Sequence, residues 1–170
     1  MTKEKDYSYK EFSIAKKSGK TRKICNPSPD LKRWQRFQLK KLNKLFAEKA
    51  SELDLPNTFH GFLPNRNAVT AAACHIPFQA TIMLDIRDFF DSVTRRHVDN
   101  VIKLDDHFKN NERFFHKEGY TAQGMPSSPL LANIALLPAM SSIVKRMEEK
   151  FGKGNYTLTC YADDIQASLL

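Results

Sequence analysis

The run Tyr156-Thr157-Leu158-Thr159-Cys160-Tyr161-Ala162-Asp163-Asp164-Ile165-Gln166-Ala167-Ser168-Leu169-Leu170 sets two β-prone segments on either side of a pair of adjacent aspartates. Tyr156 to Tyr161 carries β-branched and aromatic residues that suit a pleated, half-buried surface, and Ile165 to Leu170 can return as a second strand. Neighbouring residues in a strand face opposite ways, but a tight hairpin turn relaxes that alternation and lets two carboxylates approach one spot. Two ionised carboxylates there repel unless a cation neutralises them, and carboxylate oxygen suits Mg²⁺. Most Asp-Asp pairs are solvated turns. Asp105-Asp106, set among Lys103, His107, Lys109, Asn110 and Asn111, reads as one. Asp163-Asp164 instead follows a half-apolar strand. Locally a turn and a metal site are equally good readings, so the rest of the chain decides between them.

A chain of 170 residues fits one domain or one lobe of a larger protein, and 41% apolar residues suffice for a core. No uninterrupted apolar run approaches about 18 residues, so no membrane span is expected. The charged, polar N-terminus carries no secretory signal. Cys25, Cys74 and Cys160 are far apart with no Cys-x-x-Cys, which fits reduced thiols in a cytoplasmic protein. The five histidines show no zinc-ligand spacing. A net charge of +8 favours a polyanion partner, nucleic acid before anionic lipid.

From the N-terminus, residues 1–10 are a polar arm. Glu11 to Ala15 and Thr21 to Cys25 then pair as a β-hairpin with Gly19 at its turn. Lys16, Lys17, Lys20 and Arg22 gather near the tip, either as a solvated loop or as a clamp for a polyphosphate. Ser28 and Pro29 start a helix that runs to about Ala50, with Leu31, Trp34, Phe37, Leu42, Leu45 and Phe46 near helical spacing and a basic outer face. Ser51 to Pro64 is irregular and holds His60-Gly61-Phe62, with His60 read as structural. Asn67 caps a short helix, Ala68 to His75. Phe78 to Leu84 is a strand that delivers Asp85, while Asp88 and Asp91 read as turn or surface groups. A helix over Val93, Val98, Val101 and Ile102 follows, with Thr94 as its cap. Residues 103–119 read as a charged loop with Phe114-Phe115 docked. Ser128-Pro129 opens a helix to about Phe151, kinked at Pro138 and ended by Gly152.

Asp85 at a strand end, Asp163-Asp164 at a hairpin turn, a glycine-containing turn before a helix and a basic hairpin are the parts that two-metal phosphoryl transfer requires. At these residues the chain resembles the reverse transcriptase family, in its bacterial branch. Leu84-Asp85-Ile86-Arg87-Asp88-Phe89-Phe90 is similar to the family's first catalytic motif. Gln123-Gly124-Met125-Pro126-Ser127-Ser128-Pro129 resembles its Gln-Gly-x-Pro-x-Ser-Pro motif, and Tyr161-Ala162-Asp163-Asp164 its Tyr-x-Asp-Asp box. His60-Gly61-Phe62 with Arg66 resembles a fingers element of bacterial members. The matches fall in family order and span almost the whole chain.

The resemblance implies an α+β, right-hand polymerase fold: an antiparallel palm sheet packed on helices, with 1–80 as fingers and 81–170 as a partial palm. A segment of about 93–122 returns to the fingers. It implies an RNA-templated DNA polymerase that adds dNTPs to a primer 3′-hydroxyl. Asp85, Asp163 and Asp164 would be the catalytic, metal-holding carboxylates for two Mg²⁺ ions, with Mn²⁺ as the alternative, and the Ile86 carbonyl would assist. Phe90 would be the sugar gate, since a ring beneath C2′ crowds a 2′-hydroxyl. Gln123 and Gly124 would contact the incoming nucleotide, Lys16 or Lys17 with Arg22 would hold its triphosphate, and Tyr161 would lie near the primer end. The implied partners are an RNA template, a DNA or RNA primer and a structured non-coding RNA. No primer grip or thumb follows Leu170, so a further segment or chain is expected to supply them. The Asn-Ala-x-x-His segment that many retron enzymes carry is not found between Asp85 and Gln123, and retron, group II intron and phage-defence branches stay open. Two other readings compete: template-independent or protein-primed DNA synthesis in abortive infection, and a non-catalytic nucleic-acid-binding module.

Overall fold

The computed structural model describes residues 4–15 and 19–170. Tyr9–Ala15 (β1) and Thr21–Pro27 (β2) form the expected antiparallel hairpin, with Glu11 opposite Cys25 and Ala15 opposite Thr21. Lys16 and Lys17 lie outside the described residues. Ser28 caps α1 (Pro29–Glu52): its Oγ accepts the Leu31 N–H at 3.3 Å, and Pro29 occupies the first turn. Leu31, Leu42, Phe46 and Ala50 are buried along one side of α1, while Arg33, Arg36, Lys40 and Lys44 face outward. Phe37 breaks the expected apolar stripe, standing 80% exposed. Asn67 caps α2 (Ala68–Ala73) in a reciprocal pair. Its Oδ1 accepts the Thr70 N–H at 3.0 Å, and Thr70 Oγ1 accepts the Asn67 N–H at 2.9 Å.

Ala80–Asp85 is β3, followed by the short helices α3 (Phe89–Ser92), α4 (Arg95–Asp99) and α5 (Leu104–His107), and a 3-10 turn over Asn111–Phe114. The helix expected around Val93–Ile102 is thus shorter, although Thr94 does cap it, with His97 reciprocating. The segment 103–119 is not a plain loop, but Phe114 and Phe115 are docked, at 0% and 5% exposure. Asp105 is more than an exposed turn residue. It sits in α5 and accepts hydrogen bonds from Asn111 Nδ2 at 2.7 Å and Arg95 Nη2 at 2.9 Å.

The helix α6 (Ser128–Phe151) runs through Pro138 to Gly152 and packs on α1. By length and average composition it could cross a bilayer, contrary to the count of uninterrupted apolar residues. Half of that stretch is buried inside the fold, including Leu130, Leu131, Ile134, Leu137 and Met140, which marks it as the core helix.

Tyr156–Tyr161 (β4) and Asp164–Leu169 (β5) complete a three-stranded antiparallel sheet in the order β3-β5-β4. Side chains alternate across it. One face carries Leu158, Cys160 and Ile165, buried in the core shared with α1 and α6. The other carries Thr159 and Ser168, both bonded at 2.8 Å to the ring of His75, which follows α2. The chain is therefore α+β, with mixed helices and antiparallel sheets.

Candidate active site

The register places Asp85 directly opposite Asp164, and Tyr161 opposite Asp164 on its other side. Directly opposed residues project from the same face of a sheet, so Asp85, Asp164 and Tyr161 form a row across all three strands. Asp163 belongs to the two-residue turn between β4 and β5, whose first residue, Ala162, has φ +58. The Ile86 N–H donates to the Asp163 carbonyl at 3.0 Å, which extends the β3–β5 ladder and ties the end of β3 to the turn.

The electrostatics fit this geometry. The Asp164 carboxyl is held above the usual carboxylate range by burial first, then by Asp163 and Asp85. Asp163 and Asp164 add to burial in pushing the Cys160 thiol up to about 12. None of the three aspartates makes an ion pair among the described residues. Nor, among the described residues, do three carboxylate, imidazole or thiol groups gather into a ready-made metal cage. The donor set is nonetheless hard carboxylate oxygen, which suits a divalent cation such as Mg²⁺.

Beside this row lies an open cavity of about 660 Å³, lined by Arg22, Lys23, Phe62, Phe90, Tyr120, Gln123 and Asp163, among others. Arg22 and Lys23 reach it from β2, and Phe90 from the first turn of α3. Phe90 is half-buried, and its carbonyl accepts the Thr121 hydroxyl at 2.7 Å. Gln123 is placed by its own carbonyl, which accepts the Cys25 N–H at 2.8 Å. Gly124 serves the same contact. With φ +100, a Cβ there would run into the Cys25 carbonyl, so the glycine lets the turn press against the hairpin backbone.

Asp88 and Asp91, read from the sequence as turn or surface groups, also line the cavity. Lys23, Phe62, Tyr120 and Glu118 were not among the residues singled out as site residues. Lys23 could have been found as the neighbour of Arg22 in a basic strand. Phe62 belongs to the His60-Gly61-Phe62 segment that resembles a fingers element, but nothing local in the sequence points its ring at the cavity. It is carried to the cavity because the 58–62 segment bonds to β4: Cys160 donates to the Thr58 carbonyl at 2.7 Å and His60 to the Cys160 carbonyl at 2.8 Å. His60 is buried and hydrogen-bonded to Thr70 and Asn57, a structural residue as expected.

Asp85 opposite Asp164, with Asp163 at the adjoining turn beside a polar, cation-bordered cleft, is an arrangement whose chemistry suits nucleotidyl transfer. Residues 14–168 match the family model described as reverse transcriptase (RNA-dependent DNA polymerase), and the chain belongs to that family. It is 30% identical to the Retron Mx65 reverse transcriptase of Myxococcus xanthus over 94% of this chain and 40% of that protein. Against the Retron Ec86 reverse transcriptase of Escherichia coli it is 28% identical, over 96% of this chain and 49% of that protein. Against the Retron Se72 reverse transcriptase of Salmonella heidelberg it is 36% identical, over 63% of this chain and 25% of that protein. The chain thus spans half or less of the length of these curated relatives.

Proposed function

We propose that this chain carries the nucleotidyl-transfer centre of a retron-type reverse transcriptase, an RNA-templated DNA polymerase that adds dNTPs to a primer 3′-hydroxyl. The observation that carries the reading is the row of Asp85, Asp164 and Tyr161, with Asp163 at the adjoining turn, beside the cleft bordered by Arg22, Lys23, Phe90 and Gln123. Asp85, Asp163 and Asp164, with the Ile86 carbonyl, would hold two Mg²⁺ ions, which supply activation of the attacking hydroxyl and charge neutralisation at the leaving pyrophosphate. Arg22 and Lys23 bind the triphosphate, and the lysine of the hairpin tip, Lys16 or Lys17, adds to them. Phe90 lies under the sugar and disfavours a 2′-hydroxyl. Gln123 orients the nucleotide, and Tyr161 borders the primer end. Residues 1–80 act as fingers and 81–170 as palm, with about 93–122 returning to the fingers.

The partners are an RNA template, a DNA or RNA primer and, following the retron relatives, a structured non-coding RNA. A cytoplasmic setting fits three free cysteines. Primer extension on a defined RNA template, with the full-length protein, dNTPs and Mg²⁺, tests the reading. Product complementary to the RNA is expected, and Asp163→Asn/Asp164→Asn or a chelator reduces it to background. Undiminished synthesis by the double variant overturns the metal assignment. A homopolymeric product would move the protein to template-independent synthesis.

A further inference from the structure

Phe62 is a bulky residue in a conformation that side chains rarely adopt, with φ +62, and the residue is 46% exposed. That conformation delivers the ring to its neighbours at the cleft. Its centroid is 6.3 Å from that of Phe90 and 6.4 Å from that of Tyr161, and it lines the cleft. Phe90 in turn touches Phe89, a buried ring, at 5.2 Å. Phe90 is therefore flanked by two rings, Phe89 in the core and Phe62 at the cleft.

The backbone around Phe62 is built to hold it there. A Cβ at Gly61 would lie 2.6 Å from the Ala162 nitrogen, so only glycine lets this segment lie against the Tyr161–Ala162 turn. Asn133 Nδ2, buried on α6, donates to the Gly61 carbonyl at 2.9 Å, and the bonds of Thr58 and His60 to β4 fix the approach from the other side. The Phe62 ring thus rides on the same turn that carries Asp163.

We propose that Phe62 is a positioning residue for sugar selection: its ring holds Phe90 beneath the site of the nucleotide sugar and joins Phe90 to Tyr161 in one aromatic wall. This rests on the reading of Phe90 as the sugar gate. A displaced Phe90 no longer crowds a 2′-hydroxyl, so loss of the Phe62 ring selectively improves use of rNTPs.

The test compares kcat/KM for a dNTP and the matching rNTP in the full-length protein. Phe62→Asn and Phe62→Gly accept positive φ and keep the backbone. They are expected to lower dNTP-over-rNTP discrimination by about 10- to 100-fold, the scale of a small misplacement of a positioning group. The thermal midpoint stays within a few degrees of the parent, Phe62→Tyr retains discrimination, and Phe62→Asn adds little to Phe90→Val. If Phe90→Val lowers discrimination and Phe62→Asn does not, or if Phe62→Asn lowers dNTP and rNTP use equally, the inference is overturned while the gate reading stands. If Phe90→Val leaves discrimination unchanged, the gate reading falls and the inference falls with it.

Discussion

At the scale of single residues, the aspartates proposed to hold metal cost stability in the metal-free protein. Asp85 and Asp164 are directly opposed across two strands, where like charges destabilise a sheet, and the raised pKa of Asp164 comes from burial first, with Asp163 and then Asp85 adding to it. Asp164→Asn should therefore stabilise the metal-free protein by about 0.2–1 kcal/mol, the size of an opposed cross-strand charge pair. That corresponds to a rise of roughly 0.4–4 °C in thermal midpoint for a chain of this size. Added Mg²⁺ should raise the midpoint of the parent and leave that of Asp163→Asn/Asp164→Asn unmoved. Thermal melts of both proteins with and without Mg²⁺ read both effects. A metal-free Asp164→Asn that melts below the parent would remove the repulsion argument. Phe90 belongs to this scale as well, since its half-burial leaves one side of the ring to the cleft and the other to Phe89.

At the scale of elements, the contact between the β1–β2 hairpin and the Gln123–Gly124 turn joins the cationic edge of the cleft to the sheet side. Gly124→Ala meets two penalties, a side chain at φ +100 and a Cβ against the Cys25 carbonyl. Together these cost roughly 2–4 kcal/mol. Urea denaturation should show that loss, and the KM for dNTPs should rise because Arg22 and Lys23 withdraw with the hairpin. A variant with unchanged urea midpoint would show that the turn does not press on β2. Elements whose signals are local were legible in the sequence: the Ser28–Pro29 start of α1, the Asn67 cap, the glycine-tipped hairpin and the β4–β5 turn with its two aspartates. What was not legible depends on partners far along the chain. The central place of β5 needs β3 from about 80 residues earlier in the sequence, and the 58–62 segment reaches the cleft only by bonding to β4. Asp105 looked like Asp163 in composition, and only Arg95 and Asn111 give it a structural task.

At the scale of the whole molecule, the sheet is pinned to the segment before it by buried imidazoles, and this makes the fold sensitive to pH. His75 bonds Ser168 and Thr159 at 2.8 Å each, and Ser168 also bonds Thr81 at 2.7 Å, so one ring ties together all three strands. His60 sits between Thr70 and the Asn57 carbonyl. Burial, the largest cause for each, holds both imidazoles below their ordinary pKa. The unfolded chain therefore binds protons at these histidines at a higher pH than the folded chain does. Their contribution to stability is fully present above the unfolded value of about 6.5 and is lost as pH falls below it. The carboxylates held below their ordinary pKa, Asp6, Glu11 and Asp105, act only at lower pH, and Asp164, held above it, acts in the opposite direction. Between pH 7 and 5 the histidines should dominate. Urea midpoints in metal-free buffer are expected to fall steadily across that window. In His75→Asn the fall should be shallower, from a lower starting stability, because one of the two groups no longer takes up a proton on unfolding. A parent protein with a flat profile from pH 7 to 5, or a His75→Asn variant with the same slope, would show that protonation of the buried rings does not govern the stability of this fold.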